Sequence, residues 1–149
     1  MTKVILLVED NASDEKLTVV AFKKCGVAND MVVVRDGAAA LDYLFATGAH
    51  AGREAKAPPA IVLLDLNLPK IGGLEVLRRM REDERTKLLP VIVLTASREE
   101  EDILRSYSLG ANAYVRKPVE FADFAQAAKT LGLFWLLLNE PPPVPRGTS

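Results

Sequence analysis

Four apolar runs punctuate the chain, and each stops on a polar or charged residue. Val4-Ile5-Leu6-Leu7-Val8 runs into Glu9-Asp10, Ile61-Val62-Leu63-Leu64 into Asp65, and Val91-Ile92-Val93-Leu94 into Thr95, while Ala113-Tyr114-Val115-Arg116 ends at Lys117-Pro118. Runs of this length, rich in β-branched residues and without alternation, predict parallel strands covered on both faces. A further strand is predicted over residues 31–34, closed by Asp36-Gly37. Between the strands the apolar spacing turns helical. Leu17, Val20, Ala21 and Phe22 follow the N-cap cluster Asn11-Ala12-Ser13-Asp14 and stop at Gly26. Ala40, Leu41, Leu44 and Phe45 form a second helix ending at Gly48, and Leu74, Leu77 and Met80 a third. Glu99-Glu100-Glu101-Asp102 opens a fourth, with its acids at the positive end of the helix dipole, and Gly110 ends it. Pro118 starts the last crossover. Five strands alternating with five helices predict a doubly wound α/β fold, its parallel sheet in the order 2-1-3-4-5. Residues 48–59 read as a long polar loop and residues 82–87 as a solvated charge run.

Composition narrows the class. At 149 residues the chain is one domain with room for a core, and 49% hydrophobic with 26% charged residues is a globular balance. A net charge of −1 and no basic patch argue against nucleic acid. The single cysteine, Cys25, forms no internal disulfide; it reads as buried filler in a reducing compartment. No signal peptide is visible. The longest apolar stretch, residues 131–138, is far short of the ~20 that span a bilayer, so a cytoplasmic protein without a membrane segment is expected. Pro141-Pro142-Pro143-Val144-Pro145 cannot continue a helix. The expected division is a domain over residues 1–138 and a disordered tail over 139–149.

In open α/β sheets ligands bind outside the carboxyl ends of the strands, so the residues that end these runs converge on one edge. Glycine-rich phosphate cradles are absent, which argues against a nucleotide site. What remains is three carboxylates, a hydroxyl and an ammonium, the parts of a phosphoryl-transfer site. Asp65, ending the middle strand, has the best claim to nucleophile, since a carboxylate can form an aspartyl-phosphate. The acids on the adjacent strand suit Mg²⁺, a hard cation with oxygen ligands. Lys117 would supply positive charge to phosphoryl oxygens and Thr95 a hydroxyl donor. His50, the one histidine, has no partner of its kind for a metal or catalytic role.

Val8-Glu9-Asp10, Leu64-Asp65-Leu66-Asn67-Leu68-Pro69, Leu94-Thr95-Ala96 and Val115-Arg116-Lys117-Pro118 together resemble the receiver domain of two-component response regulators, a flavodoxin-like fold, over residues 3–138. The resemblance implies Asp65 as phosphoacceptor and Mg²⁺ on Asp10, Asp65 and the backbone carbonyl of Asn67, with Glu9 acting through a water. It implies Thr95 and Tyr114 as the switch pair. Leu-Asp-Leu-Asn-Leu-Pro-Lys, the long loop before the third strand, Gly110-Ala111-Asn112 and Phe134-Trp135-Leu136 further resemble the small single-domain regulators paired with bacterial phytochromes. A phytochrome-type sensor histidine kinase is the partner this implies. Receivers commonly carry Asp-Gly where this chain has Gly72-Gly73, a cap change worth a few tenths of a kcal/mol.

Two other readings use the same residues. Haloacid-dehalogenase-type phosphatases also pair an aspartate nucleophile with Mg²⁺, Thr/Ser and Lys. They place a second aspartate two residues after the nucleophile, where this chain has Asn67, and their acidic pair follows the nucleophile rather than preceding it. The second alternative is a phosphorylation-independent dimeric scaffold. The receiver reading makes the chain a stand-alone signalling protein rather than an enzyme, limited to self-phosphorylation from small donors and self-dephosphorylation. Its output is then a changed surface. In the last helix Phe121, Phe124, Ala128, Leu131, Trp135 and Leu138 recur at steps of three and four, enough for one buried stripe. Leu133, Phe134 and Leu137 fall outside it and predict a homodimer interface.

Overall fold

The computed structural model describes residues 4–24, 30–52, 58–97, 99–117 and 130. Strands β1 (Val4–Val8), β2 (Asp30–Val34), β3 (Ile61–Leu64), β4 (Val91–Thr95) and β5 (Ala113–Arg116) alternate with helices α1 (Ala12–Lys24), α2 (Gly37–Phe45), α3 (Gly73–Glu82) and α4 (Glu100–Ser108). All strand pairs are parallel, in the order β2-β1-β3-β4-β5, as the pattern of runs predicts. The fifth helix and the proline-rich tail lie outside the described residues, as do Cys25 and Gly26.

The unalternating runs are explained by two covered faces. Leu6, Val8, Val62, Leu64 and Val93 point into one core with Ala40, Leu41 and Leu44 of α2 and Val76, Leu77 and Met80 of α3. Ile5, Leu7, Ile61, Leu63, Ile92 and Leu94 point the other way, against Ala21 and Phe22 of α1. Both faces of each central strand are therefore apolar, which is why the runs lack a polar half.

Three details depart from the sequence reading. Helix α2 stops at Ala46, which adopts φ 54°, and not at Gly48. Its carbonyls at Asp42 and Tyr43 are taken by the following amides, and that capture sets the stop although alanine is a poor left-handed residue. Gly48 instead begins a short 3₁₀ turn, Gly48–His50, inside the expected loop, and the His50 ring meets Tyr43 edge-on at 5.2 Å. The charge run after α3 is not wholly solvated, because Thr86 is buried and donates to the Met80 carbonyl at 2.6 Å. Among the described residues no helix is long and apolar enough to cross a membrane.

Candidate functional site

Sheet pairing carries one residue beyond the strands and so fixes the site. The Glu9 amide donates to the Val34 carbonyl (3.0 Å), Asp65 to Val8 (3.1 Å) and Lys117 to Thr95 (2.7 Å). Glu9, Asp65 and Lys117 thus leave from hydrogen-bonded backbone at the carboxyl edge of the sheet. Glu9, Asp65, Thr95 and Lys117 are all buried there, and Asp10 is exposed at the rim.

Asp65 is the hub. Its Oδ1 accepts from the Thr95 hydroxyl at 2.9 Å and from the Asn67 amide at 3.1 Å, and its Oδ2 from the Lys117 ammonium at 3.2 Å. Behind it, Gly73 lets α3 press against the Asp65 backbone: a Cβ there would stand 2.3 Å from the Asp65 carbonyl oxygen. Gly72, the α3 N-cap, has no side-chain cap bond, and a Cβ there would make only an ordinary contact, 3.9 Å from the Leu66 carbonyl oxygen. The second glycine is therefore sterically required and the first is not.

Glu9, Asp10 and Asp65 each offer a carboxylate oxygen, and these atoms lie within 4.8 Å of one another. Three hard oxygen donors at that spacing fit a divalent cation of the Mg²⁺ or Mn²⁺ type. Burial pushes the Glu9 carboxyl up to about 7; Lys117 pulls against that shift and Asp65 adds to it. For Asp65 burial also acts upward, but hydrogen bonding with Glu9, the Lys117 charge, the Asn67 amide and the Thr95 hydroxyl outweigh it and hold its pKa below the usual value. These contacts favour the charged form of Asp65, the form a nucleophile needs.

Lys117 also donates to Glu9 and to Asp14 Oδ2, the latter at 3.0 Å. Asp14 reads in sequence as one member of an N-cap cluster, and that local role is real: Asn11 Oδ1 accepts from its amide at 2.9 Å. No local signal in the sequence marks it as a member of the site; the fold brings it to Lys117. The Tyr114 ring is half-buried against the core and its hydroxyl donates to the Ser97 carbonyl at 3.0 Å. Asp102, expected only to complement the α4 dipole, accepts from the Ser97 hydroxyl at 2.6 Å. Leu133, Phe134 and Leu137 lie outside the described residues.

A five-stranded 2-1-3-4-5 sheet with this cluster at its carboxyl edge defines a doubly wound α/β domain with an acidic site closed by a lysine and a threonine. The chain matches the response regulator receiver domain over residues 5–129 and belongs to that family. It is 38% identical over 134 residues to response regulator Rcp1 of Synechocystis sp. (strain PCC 6803), covering 90% of this chain and 89% of Rcp1. The Mn²⁺-bound crystal structure of Rcp1 superposes with a TM-score of 0.86 at 36% identity, over 95% of this chain and 99% of that one. The phosphorylated cyanobacterial phytochrome response regulator RcpA gives 0.88 at 39% identity, over 96% and 100%. The bacteriophytochrome response regulator AtBRR gives 0.76 at 54% identity, over 94% and 99%. The chain is thus a receiver-domain response regulator homologous to phytochrome response regulators, a signalling protein with a divalent-metal pocket and a sensor histidine kinase as its partner class.

Proposed function

We propose that Asp65 accepts a phosphoryl group from a phytochrome-type sensor histidine kinase in a Mg²⁺-dependent reaction. The observation that carries this reading is the environment of one carboxylate: Asp65 takes hydrogen bonds from Thr95, Asn67 and Lys117 beside the Glu9 and Asp10 carboxylates. An Asp65 oxygen attacks phosphorus as the P–N bond of the donor phosphohistidine breaks. Lys117 and Thr95 hold positive charge and a donor hydroxyl where negative charge collects on the phosphoryl oxygens. Asp10, Asp65 and the Asn67 carbonyl would hold Mg²⁺ directly and Glu9 through a water, and the cation would screen the repulsion between carboxylate and phosphoryl group. Thr95 and Tyr114 form the switch pair: Thr95 already donates to Asp65, and the Tyr114 hydroxyl is bound to the loop that follows β4.

The kinase class is supported by the likeness to RcpA and AtBRR, both phytochrome-type regulators. A homodimer through Leu133, Phe134 and Leu137 is supported by the apolar surplus of the last helix. The single cysteine fits a cytoplasmic setting, and residues 1–138 form the receiver with 139–149 as tail. The phosphatase alternative lacks its acid, since Asn67 cannot protonate a leaving group.

Incubation with acetyl phosphate and Mg²⁺ tests the acceptor. Wild-type protein gains the mass of one phosphoryl group, which is lost in strong acid or in base as an acyl phosphate is, and Asp65→Asn gains none. Labelling that persists in Asp65→Asn overturns the assignment, and a wild type that is never labelled favours the scaffold reading. Parallel phosphotransfer from a panel of sensor kinases tests the phytochrome class, which fails if only unrelated kinases transfer.

A further inference from the structure

The Lys117 ammonium has no donor to spare. It gives protons to Glu9, to Asp14 Oδ2 at 3.0 Å and to Asp65 Oδ2 at 3.2 Å, and a lysine carries only three. A phosphoryl group on Asp65 adds anionic oxygens beside it, so Lys117 must give up a present bond to meet them. Phosphorylated Asp65 is no longer a carboxylate, so its bond from Lys117 passes to one phosphoryl oxygen, and any second phosphoryl contact has to be taken from Glu9 or Asp14. Glu9 is buried, and loss of its one cationic partner there is costly. Asp14 is different. Its side chain is 37% exposed, so water can replace Lys117 at little cost. It stands on the first turn of α1, outside the carboxylates spaced for a metal. Its backbone is fixed at both ends, by Asn11 Oδ1 on its amide and by the buried Thr18 hydroxyl on its carbonyl at 2.7 Å. The carboxylate is therefore held toward Lys117 by the helix itself.

We propose that Asp14 is a positioning residue for Lys117, holding one of its three protons in the unphosphorylated protein and being exchanged for a phosphoryl oxygen when Asp65 is phosphorylated. This rests on Asp65 as acceptor. Asp14 then restrains phosphorylation, because the incoming group must displace a carboxylate. Once displaced, Asp14 leaves α1 without its ion pair to the residue after β5 and presents a new negative charge on the α1 surface.

The test compares initial labelling by acetyl phosphate at saturating Mg²⁺, where recruitment of the metal drops out. Asp14→Asn should be labelled about three- to tenfold faster than wild type, and should give no acceleration when Lys117 is also replaced by Met. An unchanged or slower rate overturns the inference. So does equal acceleration without Lys117, since the effect would then be the field of a removed charge. A readout independent of turnover is the ¹³C shift of the Asp14 carboxyl, which should move to its solvated value when wild-type Asp65 is phosphorylated; an unmoved signal overturns the exchange. Labelling in Asp65→Asn would instead defeat the acceptor assignment, whereas correct labelling of wild type with an unaltered Asp14→Asn rate defeats this inference alone.

Discussion

Two cations sit at opposite edges of the sheet and are partnered in opposite ways. Lys117, at the carboxyl edge, faces three carboxylates. Arg81, at the end of α3 near the amino edge, is held by neutral acceptors: the carbonyls of Gly110 (2.8 Å), Lys87 (3.0 Å) and Thr86 (3.2 Å) and Asn112 Oδ1 (3.2 Å). Burial lowers the pKa of Arg81. Burial presses on Lys117 as well, but its hydrogen bonds to Glu9 and Asp14 and the charges of Asp65 and Glu9 outweigh it and raise its pKa. Carbonyls fixed by turns offer one arrangement. Carboxylates from three elements can be regrouped around a newly arrived anion. The amino edge is built to stay and the carboxyl edge to exchange partners.

Lys117→Met breaks the exchanging edge and carries the largest expected effect. Phosphorylation of Asp65 by acetyl phosphate should slow by about 10²- to 10³-fold, the scale for losing one preorganised charge at a reacting centre, measured by intact mass against time. The variant should also melt lower than wild type without metal, because buried carboxylates lose their counter-charge.

Arg81→Met breaks the static edge. Four neutral acceptors lose a common donor, and a loss of about 2–3 kcal/mol in urea unfolding is expected, with the labelling rate within about twofold of wild type. A large fall in labelling would show that the two edges are coupled and would dissolve the contrast.

The smallest effect belongs to a third cation, exposed on α3. Arg78 grips Glu75 and Glu82, and Arg79 also reaches Glu75. Hydrogen bonds from Arg78 and then Arg79 lower the Glu75 pKa from 4.5 to about 2. A depressed acid stabilises the fold above its unfolded pKa and loses that contribution as pH falls from about 4.5 toward 2. Glu75→Gln should therefore melt slightly below wild type at pH 7, with the gap closing across that acid window. A gap that stays constant with pH would mean that Glu75 acts through packing.

The strand ends were legible because a parallel sheet needs continuous apolar strands, and the first polar residue after each run marks the edge where ligands bind. Asp65, Thr95 and Lys117 could be placed together for that reason, and the sheet order followed from the alternation of elements. Residues with a sufficient local explanation were harder to read. Asp14 is accounted for by the helix start, and nothing in the spacing of charges names Lys117, 103 positions away, as its partner. Arg81 reads as one more charge on an amphipathic helix, because its acceptors are backbone carbonyls, which every residue supplies. Ala46 carries no stop signal of its own; the amides that follow take up the last carbonyls of α2. Ser97 and Asp102 pair across a helix start that either could have occupied alone.

The contacts of Lys117 also set an order of events during synthesis. Its partners lie 52 positions back at Asp65 and 108 back at Glu9, and Thr95 reaches Asp65 across 30. A nascent chain that has just exposed β3 and Asp65 holds the two acids that follow β1, with neither the Thr95 hydroxyl nor the Lys117 ammonium that completes the cluster. At about 5–20 residues per second the remaining stretch takes several seconds to emerge. During that interval the Asp65 carboxylate has the acids after β1 in the same chain and lacks the counter-charge of Lys117. The cluster around Asp65 is complete only once β5 and Lys117 have joined the sheet.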